Sequence, residues 1–428
     1  MTNPVAIAAK GKGYSALIKR ARAISDRYGF TAAKMDRALR LFVNTLQKYE
    51  CGATFPITAA ALARNGAMIE KYQAQNIEFA IHGLFHIDYS QLALSQQNVH
   101  LQQARQIFQA KKINLSGFRC PYLRWNEETL TAVADNNLSY DSSQALYWDV
   151  VDGYATADYQ RVLEFYGSKP ARDYPALPKI MGKIVQIPYC VPDDEALIDR
   201  LKLVDTGPMT NIWLAILEET YQLGELFTLG LHPERIGLLH EPLARTLAKA
   251  RALSPGVWLA RLDEITWWWR ARSEATFELT AYEPNNYKLS ITGPAGLTVL
   301  VRNVITEPNP GPWSGNFKRL TGNTFHFQAS QKPCIGLSPE SDPALNSFLK
   351  QQGYWLETAT DPQAYSIYLN YPTFSASEER SVLKQIEASA APLIRLGRWP
   401  NGACGALCVT GDIDALTLWD YGLRFIGN

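Results

Sequence analysis

Short apolar runs alternate with amphipathic segments of helical period over residues 30–275. The runs include GATFPIT, IEFAIHG, SGFRCPY and LFTLGLHP, and a helix-like pattern follows each of them. A helix placed between two strands usually returns the second strand parallel to the first. The alternation therefore predicts an α/β fold, and the number of repeats in one stretch indicates a distorted (β/α)7-type barrel.

The remainder of the chain has a different pattern. Residues 276–332 show alternating side chains, Asn-Asn and Gly-Pro turns and no helical period, which predicts a small antiparallel β module. Residues 333–395 predict a small α/β segment, and residues 396–428 predict one more strand and helix. The barrel unit is expected to occupy residues 1–275 and to begin with helices over residues 14–48.

Composition excludes some classes of partner. The 428 residues carry a net charge of only +1 and contain no long Lys/Arg run. This argues against nucleic acid or an anionic membrane as the main partner. The N-terminal residues lack a signal-peptide pattern and no stretch is apolar enough to span a bilayer, which predicts a cytoplasmic protein without a transmembrane segment. The six cysteines are expected to be reduced and buried.

Two histidines, His82 and His86, follow the apolar run IEFAI at a spacing of four. Imidazoles at this spacing fall on one face of a helical turn and can share a metal ion. Two unrelated surface or core histidines would give the same pattern. Their position at the end of a predicted parallel strand favours the metal, because active sites of α/β barrels lie at that edge.

Polar side chains follow three further apolar runs. His232 follows LFTLGL, Arg119 follows LSGF, and Asp412 and Asp414 follow ALCVTG. Each has a structural alternative: a satisfied histidine, a stabilising ion pair, or an Asp-rich turn that caps a helix. A parallel barrel gathers such strand ends at one mouth, so together these residues indicate a catalytic site in which one carboxylate binds metal and the other takes a proton.

Taken together, these motifs resemble the polysaccharide deacetylase family, also called the NodB-homology domain or carbohydrate esterase family 4. The resemblance covers about residues 45–275. It rests on GATFPITAAALARN, which is similar to the family's second strand and the helix after it, and on the two-histidine motif. It also rests on GFRCPY with the following NEETLTAVADNNLSYDSS, and on LHPERIG with the later VWLARLDEITWWWR.

The family's opening strand, which ends in a two-aspartate motif, is missing before Cys51. RWPNGACGALCVTGDID, near the C-terminus, is similar to that opening. We therefore predict a circular permutation, in which the C-terminal strand inserts beside GATFPIT, since the termini of compact domains often lie close together. Insertion into a neighbouring subunit, which would give a homodimer, is the alternative.

The resemblance also implies roles for individual residues. Those expected to bind the metal are Asp414, His82 and His86. Those expected to act in catalysis are Asp412 as general base, His232 as general acid, Arg119 as the partner that orients Asp412, and Tyr122 through its backbone N–H at the oxyanion. Two further matches are looser. Trp148 is expected to form a hydrophobic wall of the site or to orient His232, and Asp141 is expected to be a supporting carboxylate.

The resemblance implies a metal-dependent hydrolase that removes N-acetyl groups from an amino-sugar-containing saccharide or glycan. Zinc is the expected ion, although two histidines and a carboxylate also suit cobalt, nickel or iron. The Asp-x-Asp spacing also resembles a subgroup with amide- and imide-acting members, which leaves hydrolysis of a non-sugar amide or cyclic imide open. A non-catalytic carbohydrate-binding homologue is the remaining alternative.

Overall fold

The computed structural model describes residues 27–151 and 153–423. Residues 1–26 of the predicted barrel unit, including the first part of the predicted helices at 14–48, lie outside the described residues, as do residues 424–428 of the last predicted unit. No helix among the described residues is long and apolar enough to cross a bilayer.

Strands and helices alternate over the first part of the described chain, as predicted. The strands are β1 (Ala53–Ile57), β2 (Ile77–Ile81), β3 (Leu115–Phe118), β4 (Tyr140–Asp141), β5 (Ala145–Tyr147), β6 (Lys169–Pro170), β7 (Lys179–Met181), β8 (Ile184–Gln186), β9 (Tyr189–Val191), β10 (Leu226–Leu231) and β11 (Val257–Leu259). The helices are α1 (Ala33–Gln47), α2 (Ala59–Gln73), α3 (Leu94–Ala110), α4 (Glu127–Asp135), α5 (Ala157–Phe165), α6 (Thr206–Leu223), α7 (Ile236–Ala252) and α8 (Leu262–Ser273).

Local sequence explains where these helices begin, end and pack. In α1, Leu39, Phe42, Val43 and Leu46 are buried at the spacing of one helical face. Helix α4 begins after Asn126, whose side chain accepts a hydrogen bond from the backbone N–H of Thr129 at 3.0 Å. Helix α6 ends at Gly224, which adopts the left-handed conformation with φ of 67°.

The following strands are short and mostly antiparallel. They are β12 (Thr276–Glu283), β13 (Asn286–Thr292), β14 (Val299–Arg302), β15 (Ile305–Glu307), β16 (Gly311–Pro312), β17 (Lys318–Leu320), β18 (Thr324–Gln328), β19 (Lys332–Leu337), β20 (Leu356–Thr358), β21 (Tyr365–Leu369) and β22 (Leu393–Leu396), with helices α9 (Pro343–Gln351) and α10 (Glu379–Ala388). They form two four-stranded antiparallel sheets, β12-β13-β18-β15 and β16-β17-β14-β22, and a three-stranded parallel sheet, β20-β19-β21. Because β22 pairs with β14, the antiparallel sheets draw on residues beyond 332. The boundaries of the four predicted units stay predictions.

The last strand, β23 (Gly405–Gly411), returns to the barrel and is followed by the short helix α11 (Leu418–Gly422). It lies parallel to β10 on one edge, with Leu226 opposite Ala406 and Leu231 opposite Gly411. On the other edge its first half pairs with β11 and its second half pairs with β1, where Ala53 lies opposite Val409. The C-terminal strand therefore completes the sheet of its own chain.

The central sheet of the described chain has twelve strands in the order β6-β5-β9-β10-β23-β1-β2-β3-β4-β8-β7, with β11 also on β23. Every pair is parallel except β7 with β8. The predicted α/β barrel-type fold is confirmed, and its sheet has free edges at β6 and β7. That this strand order arose by circular permutation stays a prediction.

Candidate functional site

Functional side chains collect where the central parallel strands end. His82 follows β2, Arg119 follows β3, His232 follows β10 and Asp412 follows β23. Since these strands run in the same direction, their carboxyl ends meet at one edge of the sheet. A cavity of about 860 Å³ opens there.

Two histidines and one aspartate converge at the floor of this cavity. Nε2 of His82 lies 3.4 Å from Oδ1 of Asp414, and Nε2 of His86 lies 3.2 Å from the same oxygen. One ligand atom from each residue falls within 4.8 Å of the others. Imidazole nitrogens and a carboxylate oxygen are the ligand types that zinc and related divalent ions take in proteins.

The orientation of His82 supports a metal ligand role. Its Nδ1 lies 2.9 Å from the carbonyl oxygen of Arg119, which can only accept a hydrogen bond, so Nδ1 carries the proton. Nε2 then presents its lone pair toward His86 and Asp414. A histidine ligand whose other ring nitrogen donates to a carbonyl is the usual arrangement at metal sites, so the donor set fits a divalent ion.

The turn after β23 is held on both sides by its neighbours. The backbone N–H of Asp412 donates to the carbonyl of Leu231 at 2.9 Å, and that of Ile413 donates to the carbonyl of Pro56 at 2.7 Å. Ile413 is fully buried. Because successive side chains of an extended segment point to opposite sides, Asp412 and Asp414 both face the cavity.

Arg119 lies behind the cavity and fixes Asp412. Its Nη1 donates to Oδ1 of Asp412 at 2.8 Å and to the hydroxyl of Thr410 at 2.7 Å. Its Nε donates to the carbonyl of Ser142 and its Nη2 to the Ser142 hydroxyl, both at 2.9 Å. Burial acts to lower the pKa of Arg119, but the adjacent Asp412 outweighs this effect and the pKa is raised. Arg119 therefore stays cationic and holds Asp412 in one orientation.

His232 is paired with Asp194, a residue that the sequence analysis did not single out. Nδ1 of His232 lies 2.7 Å from Oδ1 of Asp194, and the His232 backbone N–H donates to the other carboxylate oxygen at 2.7 Å. Asp194 is fully buried. Burial acts to lower the pKa of His232, but the charge and hydrogen bond of Asp194 raise it well above its usual range. His232 therefore carries a proton at neutral pH.

The signal for Asp194 was present in the sequence. Two carboxylates, Asp193 and Asp194, follow the apolar run YCVP just as Asp412 and Asp414 follow ALCVTG. Strand β9 is only three residues long, so the sequence pattern does not mark its end. Burial and the neighbouring Asp194 charge raise the pKa of Asp193 to about 7, and its carboxylate accepts a hydrogen bond from Tyr189 at 2.8 Å.

Tyr122 lies in a tight turn beside the two histidines. Its φ of 58° and ψ of 9° place it in the left-handed region, which is uncommon for a residue with a bulky side chain. Its ring packs edge-on against His86 with 4.2 Å between ring centroids. The assigned oxyanion role of its backbone N–H stays a prediction.

The two looser matches have different surroundings. Asp141 is fully buried and accepts a hydrogen bond from the Ser143 hydroxyl at 2.5 Å, and that hydroxyl accepts one from the Cys120 backbone N–H at 2.8 Å. Asp141 therefore supports the turn that carries Tyr122, and burial raises its pKa to about 6. Trp148 is buried after β5 and is not among the described residues that line the cavity.

Six of the seven predicted site residues line one cavity, and the seventh, Arg119, contacts Asp412 from behind. Residues 35–140 match a family model described as polysaccharide deacetylase. Over these residues the chain is similar to the polysaccharide deacetylase family. The resemblance noted in the sequence is therefore confirmed for the polysaccharide deacetylase segment, which contains His82, His86, Arg119 and Tyr122. His232, Asp412 and Asp414 lie beyond the matched residues.

Solved structures give more distant likenesses. A candidate polysaccharide deacetylase from Mycobacterium smegmatis is 19% identical, with 65% of this chain and 88% of that chain covered and a TM-score of 0.43. A PuuE allantoinase is 18% identical, with 55% and 72% covered and a TM-score of 0.44. BA3943 from Bacillus anthracis, a carbohydrate esterase family 4 pseudoenzyme, is 19% identical, with 39% and 56% covered and a TM-score of 0.25. No curated protein matches the chain. These distant likenesses do not indicate a substrate.

Proposed function

We propose that this chain is a metal-dependent hydrolase that removes N-acetyl groups from an amino-sugar-containing saccharide. One observation carries the proposal. The histidine–aspartate cluster, the carboxylate of Asp412 and the imidazole of His232 face the same cavity, and each of the last two has its own charged partner. The polysaccharide deacetylase match supports the class of substrate.

His82, His86 and Asp414 would hold the divalent ion, most simply zinc. A bound divalent ion supplies Lewis acidity, which lowers the pKa of a water molecule and polarises an acyl carbonyl. Two neutral imidazoles and one carboxylate leave further positions open for water and substrate.

Asp412 acts as the general base. Its carboxylate lies two residues from Asp414 on the same side of the turn and is held there by Arg119. It accepts a proton from the water that attacks the acyl carbon. A positioned general base typically contributes about 10² to 10⁴ to the rate.

His232 acts as the general acid. Because Asp194 holds the proton on Nδ1 and raises the pKa of His232, its Nε2 also carries a proton at neutral pH. Nε2 donates this proton to the departing amine nitrogen, which leaves poorly as an anion. The backbone N–H of Tyr122 faces the developing oxyanion in this scheme, a contribution typically worth about 3 kcal/mol.

The cavity lining favours a saccharide over a small cyclic imide. Its volume of about 860 Å³ leaves room for more than a compact imide ring. Aromatic rings, which can pack against the apolar faces of pyranose rings, line it at several points: Tyr28, Tyr122, Phe165, Tyr166 and Tyr421. Hydrolysis of a non-sugar amide or cyclic imide stays the alternative. The following experiment distinguishes it from deacetylation of a saccharide.

Acetate release from N-acetylglucosamine oligomers tests this function. With zinc or cobalt supplied, the native chain is expected to release acetate, and Asp412→Asn is expected to lower kcat by at least about 100-fold. Asp135→Asn, an exposed aspartate at the end of α4, is the matched control and retains full activity.

Two results would contradict the proposal. Opening of a cyclic imide without any acetate release would assign the site to the alternative amide chemistry. A metal-loaded chain that binds the oligomers but hydrolyses neither substrate would make it a non-catalytic carbohydrate-binding protein.

A further inference from the structure

A second cavity, of about 320 Å³, lies at the amino ends of strands β10 and β23. The proposed general base and general acid lie at the opposite, carboxyl ends of these strands. Gly224 and Glu225, just before β10, and Cys404, just before β23, contribute to its wall. The six residues of β10 separate this edge from the histidine–aspartate cluster by about 20 Å. A ligand in this cavity would not contact the proposed catalytic residues.

Six charged side chains contribute to the lining of this second cavity. Four are cationic and two are carboxylates, which leaves a net of two positive charges: Arg380, Lys384, Arg395, Arg398, Glu225 and Glu387. Lys384 is exposed at the rim, whereas the arginines are buried. The positive excess therefore extends from solvent into the interior.

One ion pair in the lining is complete. Arg380 donates through both terminal nitrogens to the two carboxylate oxygens of Glu225, and it also donates to the carbonyl oxygens of Ala171 and Tyr174. This pair is neutral and its hydrogen bonds are satisfied. The excess charge must therefore come from the other cations.

Arg395 and Arg398 are the cations that lack sufficient partners. Both are only 6% exposed, and the Nε atom of each is buried without a hydrogen-bond partner among the described residues. Nε of Arg395 lies 3.4 Å from the Glu387 carboxylate, an ion pair without hydrogen-bond geometry. Nη1 of Arg395 donates to the Leu396 carbonyl at 3.2 Å, and Nη1 of Arg398 donates to the Leu223 carbonyl at 2.8 Å. A buried guanidinium with unsatisfied donors costs free energy unless a further acceptor binds it.

A third arginine, Arg272, adds to the positive charge around Arg395 and Arg398. Arg272 is buried, and its Nε and Nη1 atoms also lack hydrogen-bond partners among the described residues. Burial, together with the charges of Arg398 and Arg395, lowers the pKa of Arg272 to about 9. Glu387 is the carboxylate that faces this group of arginines, and its own pKa is lowered by Arg395 and Arg398 despite its burial.

We propose that this second cavity binds a phosphate-class anion, either inorganic phosphate or the phosphoryl group of a small ligand. A phosphoryl group carries about −1.5 to −2 charges at neutral pH, which matches the positive excess of the lining. Guanidinium groups present paired N–H donors that suit phosphoryl oxygens. A carboxylate would neutralise only one of the two charges.

Calorimetric titration of the full chain with inorganic phosphate tests this site. The native chain is expected to bind phosphate saturably, and Lys384→Gln and Arg398→Gln are each expected to weaken binding by about tenfold. Lys48→Gln removes an exposed lysine at the end of α1 that does not line the cavity, and it serves as the charge-matched control. Lys384 is exposed, so its variant keeps the test valid if Arg398→Gln does not fold.

The same titration separates this site from the proposed catalytic one. Asp414→Asn is expected to retain phosphate binding. A native chain that does not bind phosphate would overturn the proposal, as would binding that survives Lys384→Gln and Arg398→Gln but is lost in Asp414→Asn. Tighter binding of a hexose phosphate than of inorganic phosphate would identify the phosphoryl group of a small ligand as the occupant, and equal binding would identify phosphate itself.

Discussion

At the scale of single residues, two ion pairs hold the proposed proton-transfer groups of the cavity. Arg119 pairs with Asp412 at 2.8 Å, and Asp194 pairs with His232 at 2.7 Å. In the proposed mechanism the first pair orients the carboxylate that accepts a proton, and the second raises the pKa of the imidazole that donates one. The proposed base and the proposed acid thus face one cavity, as hydrolysis of an amide requires.

Asp194→Asn should move the pH dependence of hydrolysis. Asp194 raises the pKa of His232, so its neutralisation lets that pKa fall and the general acid loses its proton at lower pH. The alkaline limb of the kcat/KM profile is expected to shift down by about 1 to 3 pH units. Asp135→Asn should leave the limb in place. A uniform loss of activity with an unshifted limb would show that Asp194 has only a structural role.

Single residues were predictable where the sequence marks a strand end clearly. His82, Arg119, His232 and Asp412 each follow an apolar run of ordinary strand length, so their convergence could be expected. Asp194 follows a three-residue strand, which no periodicity reveals. Its contact with His232 depends on the tertiary arrangement of β9 beside β10, which only the structure provides.

At the scale of elements, β23 determines whether the site forms. It lies between β10 and β1 in the centre of the sheet and carries both aspartates at its end. All of its residues are buried. The sequence predicted this insertion beside GATFPIT from the likeness of the C-terminal motif to the family's opening. The pairing of β11 with the first half of β23, and of β22 with β14, had no comparable signal because these strands are short.

Leu407→Ala should destabilise the whole protein. Leu407 is fully buried in β23, opposite Phe227 of β10 and Leu259 of β11. Removing its side chain is expected to lower the free energy of unfolding by about 2 to 5 kcal/mol, measured by urea denaturation. Leu238→Ala, at a position 38% exposed, is the matched control with a small effect. Equal effects of the two variants would be incompatible with a central β23.

At the scale of the whole molecule, the proposed metal site joins the two ends of the chain. His82 and His86 follow β2, and Asp414 follows the last strand, β23. In the structure β23 inserts into the sheet of its own chain, so one chain contains every proposed site residue. The sequence alone left insertion into a neighbouring subunit open, since both arrangements form the same strand contacts.

Mixing two inactive variants tests this arrangement. When His82→Ala and Asp414→Asn chains are unfolded together and refolded, no activity is expected, because each chain builds its own site and each lacks one ligand. In an exchanged dimer, roughly a quarter of the sites would be intact. Recovery of acetate release near that level would show that the last strand completes a partner.

The most direct test of the account is the metal content of the purified chain after dialysis, measured by elemental analysis. We expect about one divalent ion per native chain, as a cluster of two histidines and one carboxylate would bind. Asp412→Asn should retain this ion, and Asp414→Asn should lose most of it. A native chain without a stoichiometric ion would contradict the account, and loss of metal in Asp412→Asn but not in Asp414→Asn would reverse the roles of the two aspartates.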